Sequence, residues 1–231
     1  MRVKALVKTW LLCLLAGLAA PASAQVAPNP DDLRIYAGLH EAAAKGDVAE
    51  IERLTKAGER LTIQDARSRT PLHVAVYMKQ PAAARALIKL GANPNALEID
   101  RYDTVTIAAV ANDVEMLKLV LEGGASAKNI TSRYDGTALI AAAHLGHAEV
   151  VKILIAAGAP LNHVNNLGWT ALMESIVLGN GGKNHTETLR ALVEAGADVN
   201  IADRQGITPL QHARRRAYTE MARILERAGA R

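Results

Sequence analysis

Residues 135–162 read DGTALIAAAHLGHAEVVKILIAAGAPLN, and this pattern recurs through most of the chain. Each copy opens on a threonine and closes on a glycine. The opening threonines are Thr70, Thr104, Thr137, Thr170 and Thr208. The closing glycines are Gly58, Gly91, Gly124, Gly158, Gly196 and Gly229. Both series advance by nearly the same step, which is longer only in the fifth copy. A fixed period of about 33 residues predicts a stacked-repeat architecture.

The residue types within each copy predict two helices. The opening threonine offers a hydroxyl that caps a helix, and Pro71 and Pro209 follow it where a missing N–H costs nothing. The second helix carries an apolar stripe at helical spacing, and the closing glycine suits the left-handed residue that ends a helix. Small residues on the first helices would let neighbouring repeats approach closely; they are Ala75, Ala109, Ala142 and Ala213.

This pattern resembles the ankyrin repeat. The residues that carry the resemblance are Thr70-Pro71-Leu72-His73, Thr137-Ala138-Leu139, Thr170-Ala171-Leu172, Thr208-Pro209-Leu210, Gly91-Ala92-Asn93 and Gly196-Ala197-Asp198-Val199-Asn200. The resemblance covers an ankyrin repeat domain at residues 35–231. It implies an all-α repeat solenoid of helix–turn–helix units with short β-hairpin connections. About six repeats are expected, including two capping ones.

Two repeats depart from the pattern. Repeat three has Thr106 in place of the usual leucine and Tyr102 in place of the turn glycine, which predicts a distorted hairpin. Repeat five is longer than the others, and the extra length falls in residues 179–185. Glycine and asparagine there predict a flexible loop between the two helices. We interpret it as a harmless insertion, with a binding loop as the alternative.

The N-terminal segment, residues 1–24, predicts a secretory signal peptide. Three cations precede an apolar run at residues 10–20 that is too short to span a bilayer. A small-residue site then places the cleavage between Ala24 and Gln25. A retained N-terminal anchor is the alternative. The segment of residues 25–34 is interpreted as a linker in which Asn29 can cap a first helix at Pro30.

Signal removal changes the charge and the cysteine count. The precursor has a formal charge of +4, and the signal peptide contains three cations and the single cysteine, Cys13. Cys13 lies inside the apolar run, which argues against a lipoprotein site. A mature chain without cysteine can enter an oxidising compartment without mispairing. We therefore expect a periplasmic or secreted monomer that does not insert stably into the membrane.

The sequence contains no motif that indicates an enzyme. It lacks a G-x-S-x-G, an H-E-x-x-H, a P-loop and a glycine-rich dinucleotide turn, so we expect no catalysis and no cofactor. The best metal candidate is His144 with His147 and His163, which has no carboxylate or thiol partner in sequence. The resemblance implies that His147 bonds to a neighbouring backbone, and His73 also belongs to a repeat motif. We expect no metal site.

The C-terminal segment, residues 201–231, is basic, with seven arginines against three acids. Basic clustering alone is a weak indication of nucleic-acid binding, and a secreted protein seldom meets nucleic acid. We interpret this segment as a solvated terminal cap and expect no nucleic-acid partner. Docking of an anionic partner is the alternative.

The resemblance implies that another protein binds to the residues before each opening threonine and to outward positions late in the first helix. Aromatic and arginine side chains there are typical anchors of interfaces. The predicted partner-binding residues are Arg67, Arg69, Tyr77, Met78, Arg101, Asp103, Asn112, Arg133, Tyr134, His144, Leu145, Trp169, Leu178, Arg204 and Arg215. We predict an exported scaffold or accessory factor. The alternative is an inhibitor or immunity protein that blocks a secreted enzyme or toxin.

Overall fold

The computed structural model describes residues 25–231, so the predicted signal peptide lies outside the described residues. A short helix, α1 (Pro30–Ile35), precedes six helix pairs, which confirms the all-α solenoid. The first helices are α2 (Gly38–Lys45), α4 (Pro71–Tyr77), α6 (Thr104–Val110), α8 (Ala138–Leu145), α10 (Ala171–Val177) and α12 (Pro209–Arg215). The second helices are α3 (Val48–Lys56), α5 (Pro81–Lys89), α7 (Val114–Glu122), α9 (Ala148–Ala156), α11 (Lys183–Glu194) and α13 (Thr219–Arg227).

The helices stack in two layers. Each first helix packs on the first helices of the neighbouring repeats, and each second helix packs on the neighbouring second helices. Leu72, Leu139 and Leu172 are fully buried between successive repeats. Ala75 and Ala142 are fully buried as well, and their small side chains let the first helices approach closely. The core is therefore continuous along the solenoid, as a nearest-neighbour architecture requires.

The predicted threonine caps are confirmed in four repeats. The hydroxyls of Thr70, Thr137, Thr170 and Thr208 each accept a hydrogen bond from the backbone N–H three residues later. Repeat three is different, because Asp103 caps α6 and Thr104 is already its first helical residue. The prediction that Thr104 opens the repeat was wrong by one position.

This shift corrects the interpretation of repeat three. Val105, fully buried, takes the place of the usual leucine, and Thr106 takes the place of His73. The turn residue is Arg101, with φ of +67°, rather than Tyr102. Ala108, not Ala109, stands where repeat two has its small alanine. In the sequence, Thr104 and Thr106 stand close to Asp103, and their hydroxyls made the first residue of α6 ambiguous.

The connections between repeats are extended turns that are linked to one another. Within residues 25–231, one isolated antiparallel β-bridge joins Thr131 and Gly136. Each central turn donates one backbone hydrogen bond to the turn before it. The bonds run from Ile99 N to Arg67 O at 2.9 Å, from Ser132 N to Arg101 O at 3.1 Å, and from Asn166 N to Tyr134 O at 2.9 Å. These bonds fix the spacing of the turns along one side of the solenoid.

The insertion in repeat five is partly helical. Helix α11 begins at Lys183 and has 12 residues, whereas the other second helices have nine. The ring of His185 contacts the backbone oxygen of His144 at 2.9 Å, and the Tyr218 hydroxyl donates to Gly179 O at 3.0 Å. The prediction of a flexible loop was wrong for residues 183–185, which form an added turn of helix packed between repeats four and six.

Candidate functional site

The inner face of the solenoid is formed by the turn residues before the first helices and by the C-terminal ends of those helices. A cavity of about 360 Å³ opens on this face across repeats three to five. Its apolar and aromatic walls include Tyr102, Tyr134, Ile140, Ala141 and Leu145. Its polar lining includes His144, Asn165 and Glu174. Three residues predicted to bind a partner, Tyr134, His144 and Leu145, therefore line one cavity.

A repeated turn geometry positions the inner-face residues. In repeat two, Asp65 Oδ1 accepts hydrogen bonds from the backbone N–H groups of Arg67 and Arg69 at 2.8 and 2.9 Å. In the other turns, too, one side-chain oxygen accepts hydrogen bonds from the backbone N–H groups two and four residues later. These turn acceptors are Glu98, Ser132, Asn165 and Asp203. In each turn, the residue three positions after the acceptor has a positive φ. These residues are Ser68, Arg101, Asp135, Gly168 and Gly206.

One turn position in the lining of the cavity lacks a side chain. Gly136 occupies the position four residues after the turn acceptor, where the neighbouring repeats carry Tyr102 and Trp169. A Cβ at Gly136 would meet Ser132 Oγ at 3.4 Å and Ile140 Cγ2 at 3.8 Å, which are ordinary contacts. A larger side chain would therefore extend into the space that Tyr102 and Tyr134 border.

Glu174 forms the buried acidic end of this site. Its residue is 4% exposed, and Oε1 accepts a hydrogen bond from Asn165 Nδ2 at 2.8 Å. Asn165 Oδ1 already accepts two turn N–H groups, so the amide must direct Nδ2 towards Glu174. His144 Nδ1 lies 3.3 Å from Glu174 Oε2. Among residues 25–231, no lysine or arginine side chain forms an ion pair with Glu174.

The sequence prediction missed Glu174 and Asn165, although the repeats contain a signal for both. Aligned on the helix caps, Glu174 stands where earlier repeats have Val74, Ile107 and Ala141. A carboxylate at an otherwise apolar repeat position indicates a special role, since buried charges need compensation. The residues whose side chains accept the turn hydrogen bonds recur with the same period as the opening threonines. Counting back from Thr170 by the same interval would therefore have located Asn165.

Two aromatic residues predicted to bind a partner, Tyr134 and Trp169, do not line the cavity together. Tyr134 lines it together with Tyr102 from the preceding repeat, whereas Trp169 is half-buried outside its lining. Tyr102 was interpreted from the sequence as a defect of its turn. Its ring instead forms a wall of the cavity, because the corrected register places Arg101 at the turn.

The other predicted partner residues differ in exposure. Half-buried residues are Arg67, Tyr77 and Met78, and exposed residues are Arg101, Asn112, Arg133, Leu178, Arg204 and Arg215. Several of the arginines bridge successive repeats: Arg67 and Arg133 both pair with Asp100, and Arg101 Nη1 lies 2.9 Å from Asp135 Oδ1. These pairs leave the arginine heads partly engaged within the chain.

Two predicted partner residues are buried, and the structure corrects their assignment. Arg69 is 1% exposed and forms ion pairs within the chain. Asp103 is 1% exposed, where Oδ1 accepts from Thr106 N at 2.8 Å and Oδ2 accepts from Asn129 Nδ2 at 2.8 Å. Both side chains hold repeats together and present no surface to a partner.

The segment before α1 lies against the inner face of the first three repeats. Arg69 Nη1 donates to Val26 O at 3.1 Å, Pro28 is buried, and Gln25 Nε2 donates to Thr106 O at 2.9 Å. Asn29 caps α1 as predicted. The residues interpreted as a linker are therefore docked on the solenoid, and Gln25 reaches the edge of the cavity.

Arg69 joins this segment to repeats one and two electrostatically. Its Nε donates to Asp65 Oδ2 at 2.6 Å, and the Tyr36 hydroxyl donates to the same oxygen at 2.6 Å. The hydrogen bond from Arg69 lowers the pKa of Asp32 below its ordinary value, against the opposing effect of burial. Burial alone would raise the pKa of Asp65, but hydrogen bonds from Tyr36 and Arg69 outweigh it and lower the pKa.

The histidines make structural hydrogen bonds, as the resemblance implied for His147. His73 Nε2 lies 2.9 Å from Ala96 O, and His147 Nδ1 lies 3.0 Å from Ala109 O. Burial lowers the pKa of His73 below its ordinary value. His163 Nε2 lies 2.6 Å from Asp135 O, away from the proposed pairing with His144. Within the described part of the chain, no group of three or more His, Cys, Asp or Glu side chains could hold a metal ion.

Comparison with known proteins agrees with this architecture. One family model, for three copies of the ankyrin repeat, matches residues 105–203, and a second, for many copies, matches residues 39–88. The ankyrin repeat protein YahD of Escherichia coli strain K12 is 32% identical over 190 residues, which are 82% of this chain and 94% of YahD. The chain belongs to the ankyrin repeat family. Ankyrin repeats bind other proteins, and the fold is typically a non-catalytic interaction scaffold.

Solved ankyrin structures superpose on most of the chain. An ankyrin repeat domain from Acinetobacter baumannii AYE has a TM-score of 0.80 and 44% identity, covering 84% of this chain and 98% of that one. The ankyrin repeat domain of Bcl-3, a member of the IkappaB protein family, has a TM-score of 0.76 and 28% identity, covering 85% of this chain and 87% of that domain. Among residues 25–231, no helix has the length and apolar character needed to cross a membrane.

Proposed function

We propose that this protein is an exported ankyrin-repeat scaffold or accessory factor that binds a partner protein through its inner face. The observation that carries the proposal is the cavity at Gly136, bordered by Tyr102 and Tyr134. An aromatic-walled recess in an otherwise continuous face is suited to a protruding side chain of a partner. The first helices that line it, α6, α8 and α10, pack on one another.

Export is supported by the sequence of residues 1–24, which has the basic start, short apolar run and small-residue site of a signal peptide. The mature protein would begin at Gln25 and act in the periplasm or outside the cell. The docked segment of residues 25–29 would then be the N-terminus of the mature chain, lying on the inner face beside the cavity.

The test is an affinity capture from the envelope fraction of the source organism with purified residues 25–231. A matched bait, Gly136→Leu, fills the cavity while leaving the outer surface unchanged. We expect a protein that the wild-type bait enriches and the filled variant does not. Equal enrichment by both baits would contradict binding at the cavity, and no enrichment by either would contradict the proposed scaffold.

The alternative is an inhibitor or immunity protein that blocks a secreted enzyme or toxin, and it would use the same inner face. The two functions differ in what happens to the partner. The captured protein is assayed with and without a molar excess of residues 25–231. Activity that persists in the complex supports the scaffold, and activity that is lost supports the inhibitor.

A further inference from the structure

We propose that the cavity in front of repeats three to five receives one basic side chain of the partner, with arginine preferred, and that Glu174 is its counter-ion. This inference rests on the proposed function and states the chemistry of the partner's anchor. Its first support is the charge of the site. Among the side chains that line the cavity, Glu174 carries the only carboxylate and none is a lysine or arginine.

The hydrogen bonding of Glu174 leaves room for a cation. A carboxylate offers about four lone-pair positions. Asn165 Nδ2 occupies one at Oε1, and His144 Nδ1, at 3.3 Å from Oε2, supplies a second when that nitrogen carries a proton. The remaining positions match the two parallel N–H groups that a guanidinium presents to a carboxylate. Filling the cavity with an apolar or acidic side chain would bury the carboxylate further without compensation.

The walls suit the rest of a basic side chain. Ile140, Ala141 and Leu145 offer apolar surface to an aliphatic stem, while Glu174 lies where its charged head would end. Tyr102 and Tyr134 add aromatic rings, which attract cations, and a planar guanidinium stacks on such rings better than an ammonium does. This is the reason for preferring arginine to lysine.

The size of the cavity favours a single side chain. Its volume of about 360 Å³ lies at the lower end of the ~300–1,000 Å³ typical of small-ligand pockets. A partner helix would need a longer groove, but Trp169 and Tyr102 occupy the equivalent position in the two flanking repeats. At this turn position the recess is therefore confined to repeat four.

The probes for the test are Nα-acetyl-arginine methylamide and its uncharged counterpart, Nα-acetyl-norleucine methylamide. Each is titrated into isotope-labelled residues 25–231 while backbone amide signals are followed by NMR. We expect saturable shifts at Tyr134, Ala141 and Leu145 with the arginine probe only. The lysine analogue should bind more weakly. Saturation by the norleucine probe at equal concentration would overturn the role of charge.

Three variants locate the counter-ion. Glu174→Gln keeps an acceptor for Asn165 and should weaken arginine-probe binding by about tenfold or more, since a charge-assisted hydrogen bond becomes a neutral one. Glu149→Gln removes an exposed charge of repeat four and should leave binding unchanged. Gly136→Leu retains Glu174 and should abolish binding by filling the recess. Undiminished binding in Glu174→Gln would overturn the proposal.

The outcomes separate this inference from the proposed function. If a partner is captured by wild type but binds Glu174→Gln equally well, the scaffold stands and the basic anchor is wrong. If the arginine probe binds through Glu174 but no partner is enriched, the cation site stands and the scaffold is wrong. An unfolding curve of each variant shows whether it is folded, and the contrast between the arginine and norleucine probes on the wild-type protein tests the role of charge if Glu174→Gln does not fold.

Discussion

The guanidinium of Arg69, buried in repeat two, donates from Nη2 to Asp32 Oδ2 in α1 across 2.8 Å. This contact spans 37 residues of sequence and ties the N-terminal segment to the solenoid. Arg69 also donates to Asp65 and to the backbone of Val26, so each of its nitrogens has an acceptor. Removing one member of this arrangement is costly, because the remaining buried charges are left uncompensated.

We therefore predict that Arg69→Met lowers the free energy of unfolding by about 3–5 kcal/mol, the usual cost of breaking a buried ion pair from one side. Urea unfolding followed by circular dichroism measures it. The control is Arg53→Met, which removes an exposed pair with Glu50 and should change the free energy of unfolding far less. Equal costs for the two variants would show that burial of Arg69 contributes nothing.

A second prediction concerns pH and two carboxyl groups of opposite behaviour. The folded state lowers the pKa of Asp65, so its contribution to stability is present above the unfolded value of about 3.9 and is lost as the pH falls through the lower folded value. Burial raises the pKa of Glu98, so its ionised form opposes folding as the pH rises above the unfolded value of about 4.3.

The two neutral variants should therefore respond to pH in opposite directions. Relative to wild type, Asp65→Asn should lose more stability at pH 7 than at pH 3. Glu98→Gln should compare more favourably with wild type at pH 7 than at pH 3, because it removes a charge that burial disfavours and keeps a turn acceptor. The measurement is urea unfolding of all three proteins across this pH range. Parallel profiles of unfolding free energy against pH for the two variants would contradict the prediction.

Deletion of residues 181–184 should destabilise the protein. It removes the start of α11 together with Gly181, which lies against the ring of Tyr218. We expect a loss of about 2 kcal/mol or more, or roughly 4–8 °C in the melting temperature for a chain of this size. Thermal unfolding measures it, with Asn184→Ala as an exposed single-site control. An unchanged melting temperature would show that residues 181–184 are a dispensable loop.

The mature protein should begin at Gln25 and be recovered outside the cytoplasm. Intact mass and N-terminal sequencing of the exported protein measure the cleavage site. An Ala24→Arg precursor is the control, because a large cation at the small-residue site should block cleavage. Recovery of uncleaved wild-type protein in the membrane fraction would favour a retained anchor instead.

Much of the fold could be predicted because its determinants are local and periodic. The caps at Thr70, Thr137, Thr170 and Thr208 follow from one residue and its nearest neighbours. Asp103 was missed because Thr104, directly after it, offered a competing cap. The helical start of α11 was missed because Gly181 and Gly182 suggested a loop throughout, whereas contacts with repeats four and six stabilise a turn of helix from Lys183.

The site was less predictable because its contacts join different repeats. Position alone placed Tyr134, His144 and Leu145 correctly beside one another, since family geometry fixes the inner face. Position also assigned Arg69 to the surface, whereas ion pairs with Asp65, four residues earlier, and with Asp32, 37 residues earlier, hold it in the interior. Glu174 could be found by comparing equivalent positions between repeats, but its bond from Asn165 depends on how that side chain is oriented by its own turn.

The central claim is that the cavity on the inner face binds a partner protein, and calorimetric titration of Tyr134→Ala against the captured partner tests it most directly. Truncation of an anchoring aromatic typically costs about 2 kcal/mol of binding, or roughly 30-fold in affinity. The control is Lys152→Ala, exposed on α9 in the layer of second helices. We predict that Tyr134→Ala loses this affinity with little change in its unfolding curve, while Lys152→Ala binds like wild type. Unchanged affinity of a folded Tyr134→Ala protein would contradict the account.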